Sequence, residues 1–159
     1  MLFLFAGALL RAEPAAWNPL EQQVAAIAQG PQVTVVHFWA SWCSNCKAEH
    51  ADNGWREFVA ANPDVKVIFI SVWGSAEDDA KLLEGYGLSA LSNFTALRHP
   101  DQKRARAERI GSFMDLPVSW VPTTWVLKDG KLRFAFNYGE VRFPMLQQLV
   151  ADSRDAWKH

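Results

Sequence analysis

Two stretches of the chain are apolar almost without a break: Val33-Thr34-Val35-Val36-His37-Phe38-Trp39 and Val65-Lys66-Val67-Ile68-Phe69-Ile70-Ser71-Val72. Both are rich in β-branched and aromatic residues. Their continuity predicts strands buried on both faces of a sheet. The intervening Ser44 to Ala61 reads as one helix, ended by Asn62-Pro63. Strand, helix and strand in that order imply a βαβ unit and a parallel pair. Upstream, Leu20, Val24 and Ile27 recur at helical spacing within Leu20 to Gln29, and Gly30-Pro31 closes that helix. Downstream, Ser75 is placed as an N-cap, with acidic Glu77, Asp78 and Asp79 in the first turn and Gly85 and Gly87 ending the helix. Thr123 to Leu127 and Leu132 to Phe136 flank Lys128-Asp129-Gly130-Lys131, a hairpin signal. A last helix is expected over about Val141 to Ala156. The pattern is weakest over residues 88–118, where Asn93 to Leu97 reads as a short strand and Asp101 to Met114 as a helix. The order predicts an α/β fold: a central mixed sheet with helices on both faces. No internal repeat or low-complexity tract interrupts it.

The length of 159 residues suits a single domain, here 20–159, and a chain this long needs no disulfide staples. A formal net charge of −1 gives no general reason to expect nucleic acid or an anionic membrane as partner. A monomer is expected. The eight Trp residues are many for this length and suit both a core and a binding groove. Met1 to Leu10 is apolar but far shorter than the roughly 20 residues a membrane-spanning helix needs. It is similar to the apolar region of a secretory signal peptide, although no Lys or Arg precedes it and no small-x-small cleavage site follows. Residues 1–12 are therefore assigned as an export signal or its remnant, against the alternative of an apolar element packed on the domain. Residues 13–19, with Pro14 and Pro19, read as a linker.

The only two cysteines form Cys43-Ser44-Asn45-Cys46. A structural zinc site needs about four ligands, and no second pair exists to complete one. A disulfide framework is excluded by count. A redox pair remains. Cys43, at the start of the helix, would gain thiolate character from unpaired backbone N–H groups and the helix dipole. Cys46, three residues on along the same face, lies within disulfide reach. One exposed attacking sulfur and one recessed resolving sulfur are what thiol–disulfide exchange requires.

The segment His37-Phe38-Trp39-Ala40-Ser41-Trp42-Cys43-Ser44-Asn45-Cys46-Lys47-Ala48-Glu49 resembles the active-site segment of the thioredoxin superfamily. Val121-Pro122-Thr123-Thr124-Trp125-Val126-Leu127, followed by Asp129-Gly130, resembles that superfamily's cis-proline strand and hairpin. The resemblance covers roughly residues 20–152 and is closest to the exported TlpA-like group, which includes reductases of cytochrome c maturation. It implies the thioredoxin fold and a protein-disulfide oxidoreductase in the periplasm or otherwise exported, free or attached to the membrane through its N-terminus. Its partners would be exported proteins bearing disulfides or thiols, and a membrane electron donor. No cofactor or resident metal is implied. Residue by residue, Cys43 would attack, Cys46 would resolve, and Glu49 would tune cysteine acidity and proton transfer. Pro122 would be the cis-proline beside the sulfurs, leaving the Val121 backbone to pair with an extended substrate, and Trp42 would shield the site.

Several positions depart from that pattern. Ser44-Asn45 replaces the common Gly-Pro, and His37 stands where thioredoxin has a buried Asp. Trp120 lies two places before the cis-proline, a position often small, and is read as groove. Glu49 fits either a functional carboxylate or a solvated helix residue, and His37 either a satisfied core histidine or a proton acceptor for Cys46. His50 is read as plain surface. Arg98, Lys103, Arg104, Arg106 and Arg109 against Asp101 and Glu108 give a local charge of +3, read first as a solvated helix face and second as a docking patch for an acidic partner. A different class of function stays open beside the enzyme: a non-catalytic carrier holding Cu(I) between the two thiolates.

Overall fold

The computed structural model describes residues 16–137 and 139–155. The expectations for residues 1–12 lie outside them. The fold begins with helix α1 (Pro19–Ala28), started by a capping box in which the Asn18 side chain accepts from the Leu20 and Glu21 N–H groups and Glu21 accepts from the Asn18 N–H. The linker predicted over 13–19 therefore ends early. Trp17 is already anchored, its indole N–H donating to Asp115 at 2.8 Å, and Pro19 is the first residue of the helix.

Strand β1 (Thr34–Trp39) is buried at every position, as its composition predicts. It runs parallel to β2 (Lys66–Ser71), which runs parallel to the edge strand β3 (Phe94–Arg98). On its other side β1 pairs antiparallel with β6 (Thr123–Lys128), which pairs with β7 (Lys131–Phe136) through the Asp129-Gly130 turn. The sheet order is β3-β2-β1-β6-β7, a mixed sheet flanked by helices, the thioredoxin fold. Alternation along β1 sends His37 to one face, against Trp55 and Phe69, and Phe38 to the other, against Phe113 and Trp125. Trp39, Trp55, Trp73 and Trp125 are fully buried, whereas Trp42 and Trp120 are exposed. Among the described residues no helix is long and apolar enough to cross a membrane.

Two expectations fail. The helix read as Ser44 to Ala61 is broken into α2 (Ser44–Ala48), a 3-10 turn at Ala51–Asn53, and α3 (Gly54–Ala61). The reason is periodicity. Cys46 and Glu49 face inward from α2, and Trp55, Phe58 and Val59 from α3. At about 100° per residue, Trp55 on one straight helix would point about 180° away from Cys46. The chain turns instead at Asp52 and Asn53, whose φ angles of 53° and 59° lie in the left-handed region that Asp and Asn tolerate best after Gly. Gly54 then passes so close to helix α5 (Phe143–Arg154) that a Cβ there would sit 2.2 Å from the Phe143 ring.

The helix expected over Asp101 to Met114 is absent. Residues 99–111 form a loop, followed by two-residue strands β4 (Ser112–Phe113) and β5 (Leu116–Pro117) around left-handed Met114 and Asp115. This stretch offers no apolar stripe that a helix could bury. Gln102 fixes it instead, donating to the Ser71 and His99 carbonyls and accepting from the Gly74 N–H, which holds the loop to the end of β2. Helix α4 (Ala76–Gly85) has Ser75 as N-cap, as expected. The β4–β5 turn returns to α1, where the Met114 N–H donates to Glu21 at 2.7 Å. The β6–β7 turn does the same, the Gly130 N–H donating to the Ala28 carbonyl at 2.8 Å.

Candidate active site

Strand β1 ends at the sheet's edge and delivers Cys43 as the N-cap of α2. Its sulfur accepts from the Cys46 N–H at 3.4 Å and lies 3.6 Å from the Val121 carbonyl. The Val121–Pro122 peptide is cis. Both cysteines are free thiols. The thiol of Cys46 donates to Cys43, and the N–H groups of Cys46 and Asn45 assist. Together they outweigh burial and the Glu49 charge and lower Cys43 to about 6 from an ordinary 9.0. Donating that bond, then burial, pushes the Cys46 thiol far up. A helix of only five residues has little macrodipole, so the local N–H groups carry most of the backbone's contribution.

Cys43 is only 7% exposed, less than expected for an attacking sulfur. It faces a hollow of about 380 Å³ lined by Trp42, Ser44, Asn45, Trp73, Arg109, Trp120 and Val121. Trp42, expected to shield the site, and Trp120, read as groove, stand 42% and 58% exposed at its rim. The Trp42 indole N–H donates to the Trp73 carbonyl at 2.6 Å. Trp73 has φ 55°, a left-handed conformation unusual for a bulky residue, and Arg109 lies 4.4 Å over its ring. Arg104 lies 4.4 Å over Trp42.

The opposite side is closed. Glu49 is 3% exposed, which excludes the solvated alternative. One carboxylate oxygen sits 3.0 Å from His37 Nε2 and accepts from the Trp55 indole at 3.0 Å; the other accepts from the Val141 N–H at 2.8 Å. Burial pushes the Glu49 carboxyl up, but the His37 imidazole and the hydrogen bonds from His37, Trp55 and Val141 together hold it below its ordinary value. His37 Nδ1 and Thr124 Oγ1 share a hydrogen bond of 2.9 Å across the β1–β6 pair. His37 thus joins a carboxylate that lies close enough to Cys46 to raise its pKa.

His50 was expected on the surface. It is half-buried instead, stacked on Tyr86 at 3.5 Å with its edge toward Phe69, and burial pushes its imidazole down to about 4. The basic segment is the other revision: it is not a helix face, and its Arg104 and Arg109 lie on the tryptophans of the opening. Sequence reasoning missed Trp73, Trp55, Val141 and Thr124, and it named Arg109 only within the basic segment. Thr124 alone carried a signal, because it lies opposite His37 once β1 and β6 are paired.

A family model described as a thioredoxin-like domain matches residues 20–154. No curated protein matches the sequence significantly. Among solved structures, the chain is similar to a secreted disulfide oxidoreductase of Mycobacterium tuberculosis homologous to E. coli DsbE, with 23% identity, 79% of this chain and 85% of that chain covered, and a TM-score of 0.59. It is similar to a thiol:disulfide interchange protein of Chlorobium tepidum, with 17% identity, coverage of 82% and 85%, and a TM-score of 0.58. A secreted thiol-disulfide isomerase from Corynebacterium glutamicum matches at 24% identity, coverage of 79% and 72%, and a TM-score of 0.55. Identities this low establish the shared fold.

Proposed function

This chain belongs to the thioredoxin-like family, and from that premise we propose that it is a thiol–disulfide oxidoreductase acting on disulfides of exported proteins. The observation that carries the reading is the unequal thiol pair: Cys43 lowered to about 6 and facing a hollow, Cys46 raised and covered. The Cys43 thiolate attacks one sulfur of a substrate disulfide. A mixed disulfide forms and the second substrate sulfur leaves as a thiolate. Cys46 then gives up its proton and attacks Cys43 Sγ. The S–S bond to substrate breaks, the substrate gains two electrons and is released as a dithiol, and the Cys43–Cys46 disulfide forms. Glu49, ionised and close enough to act on Cys46, relays that proton toward the departing thiolate, and solvent supplies the second proton of the dithiol. An external dithiol donor, expected at the membrane, reduces the pair again.

Export is supported by the apolar run Met1 to Leu10 and by the secreted proteins among the structures of the same fold. The sequence resemblance favours a TlpA-like reductase of the cytochrome c maturation type. The test is turnover: catalytic amounts of protein with excess dithiothreitol should reduce a disulfide-bonded peptide over many cycles. Stoichiometric Cu(I) binding without turnover would instead establish the carrier.

A further inference from the structure

The basic segment lines the approach to Cys43. Residues 98–109 carry five cations against two acids, a local +3 in a chain whose total is −1, so the remainder holds −4. Arg109 lines the hollow in front of Cys43 and also a second hollow of about 540 Å³ shared with Arg106, Ile110, Gly111, Ser119 and Trp120. The two hollows meet at Arg109 and Trp120, and no Asp or Glu lines either. Arg104 and Arg109 rest on Trp42 and Trp73, and Arg109 also donates to the Ser119 carbonyl at 2.9 Å. These contacts fix where the guanidinium groups stand, while a guanidinium has five N–H donors to offer. The far side of Trp42 differs: Lys47 and Lys81 there share the surface with an acid, Asp78. The Arg109–Arg106 side of the opening is therefore basic and free of acids, with exposed indoles beside it.

We propose that this arginine-lined extension of the groove selects polypeptide substrates carrying Asp or Glu within a few residues of the reacting cysteine. The inference rests on the oxidoreductase reading and names its substrate class. The substrate sulfur must lie against Cys43, so residues to one side of it pass over Trp120 and Arg109 toward Arg106. Carboxylates there meet planar donors, and lysines meet like charge. Charges on the rim of an interface act mainly on the association rate and are weakened by salt.

The test compares three peptides of equal length with one disulfide each, flanked by acidic, neutral or basic residues, reduced by wild-type protein and by R104Q/R106Q. With the wild type at low salt, kcat/KM for the acidic peptide should exceed that for the basic one by roughly tenfold or more. The ratio should shrink toward one at about 0.5 M salt. The double variant should show a narrowed ratio. Equal rates at low salt, or preference for the basic peptide, overturn the proposal and leave the oxidoreductase intact. Failure to reduce any of the three overturns both. The salt titration of wild type decides the matter even if the variant folds poorly.

Discussion

The two cysteines stand three residues apart in one motif yet belong to opposite surroundings. Cys43 looks out on an opening framed by exposed indoles, guanidinium groups and the Val121 carbonyl. Cys46 looks in on His37, Glu49 and Trp55, whose polar atoms are paired with one another and with the backbone. The open side is built from loops and surface residues that tolerate exchange. The closed side is built on the central strand, where buried His37 and Glu49 depend on their partners. The motif provides the sulfurs, and the fold makes them unequal.

The largest effect that could break this contrast is all-or-none. Cys46→Ser removes the resolving sulfur and spares the nucleophile, so it should accumulate a mixed disulfide with substrate that dithiothreitol dissolves, while Cys43→Ser should trap nothing. Non-reducing electrophoresis reads both; trapping by Cys43→Ser reverses the assignment. Next is selective alkylation. At pH 7 a thiol titrating at about 6 is mostly thiolate, so brief iodoacetamide treatment should label Cys43 over Cys46 by roughly tenfold or more, with a midpoint near pH 6. Mass spectrometry of the reduced protein decides, and preferential labelling of Cys46 sinks the contrast.

Glu49→Gln tests the closed side. A carboxyl held below its ordinary 4.5 stabilises the fold above that pH, and the contribution is lost as pH falls through its lowered value. The variant should lose about 1–3 kcal/mol at pH 7 in urea unfolding and less in acid. It should also shift the pH dependence of exchange more than its maximum rate. An unchanged pH–rate profile would make Glu49 purely structural. The smallest effect belongs to the open side: Trp42→Phe loses one hydrogen bond to Trp73 and should cost about 0.5–1.5 kcal/mol by the same measurement. A larger loss than Glu49→Gln would erase the distinction between the sides.

Much of this was legible in the residues. The continuous apolar runs gave β1 and β2, Asp129-Gly130 gave the β6–β7 hairpin, and the cysteine spacing with Pro122 located the site. The break between α2 and α3 was also written in the chain, in the half-turn mismatch between Cys46 and Trp55 and in the poor helix formers Asp52-Asn53-Gly54 between them. The burial of Glu49 was not legible, because its partners Trp55 and Val141 are set by that break and by the turn into α5. The course of residues 99–111 was not legible either. Gln102 fixes it through three hydrogen bonds to backbone that is near only in the folded state.

The clasp between α1 and the two hairpin turns has a consequence for biosynthesis. Trp17 waits 98 positions for Asp115, and Glu21 waits 93 for the Met114 N–H. On the ribosome, the free edge of β1 and the inner side of α1 stay uncovered until the β6–β7 hairpin emerges, and closing so long a loop makes assembly late. A nascent chain halted before Trp120 carries both cysteines but neither the Val121 carbonyl that faces Cys43 nor the indole of Trp120. The groove that receives a substrate is therefore completed only by the last quarter of the polypeptide.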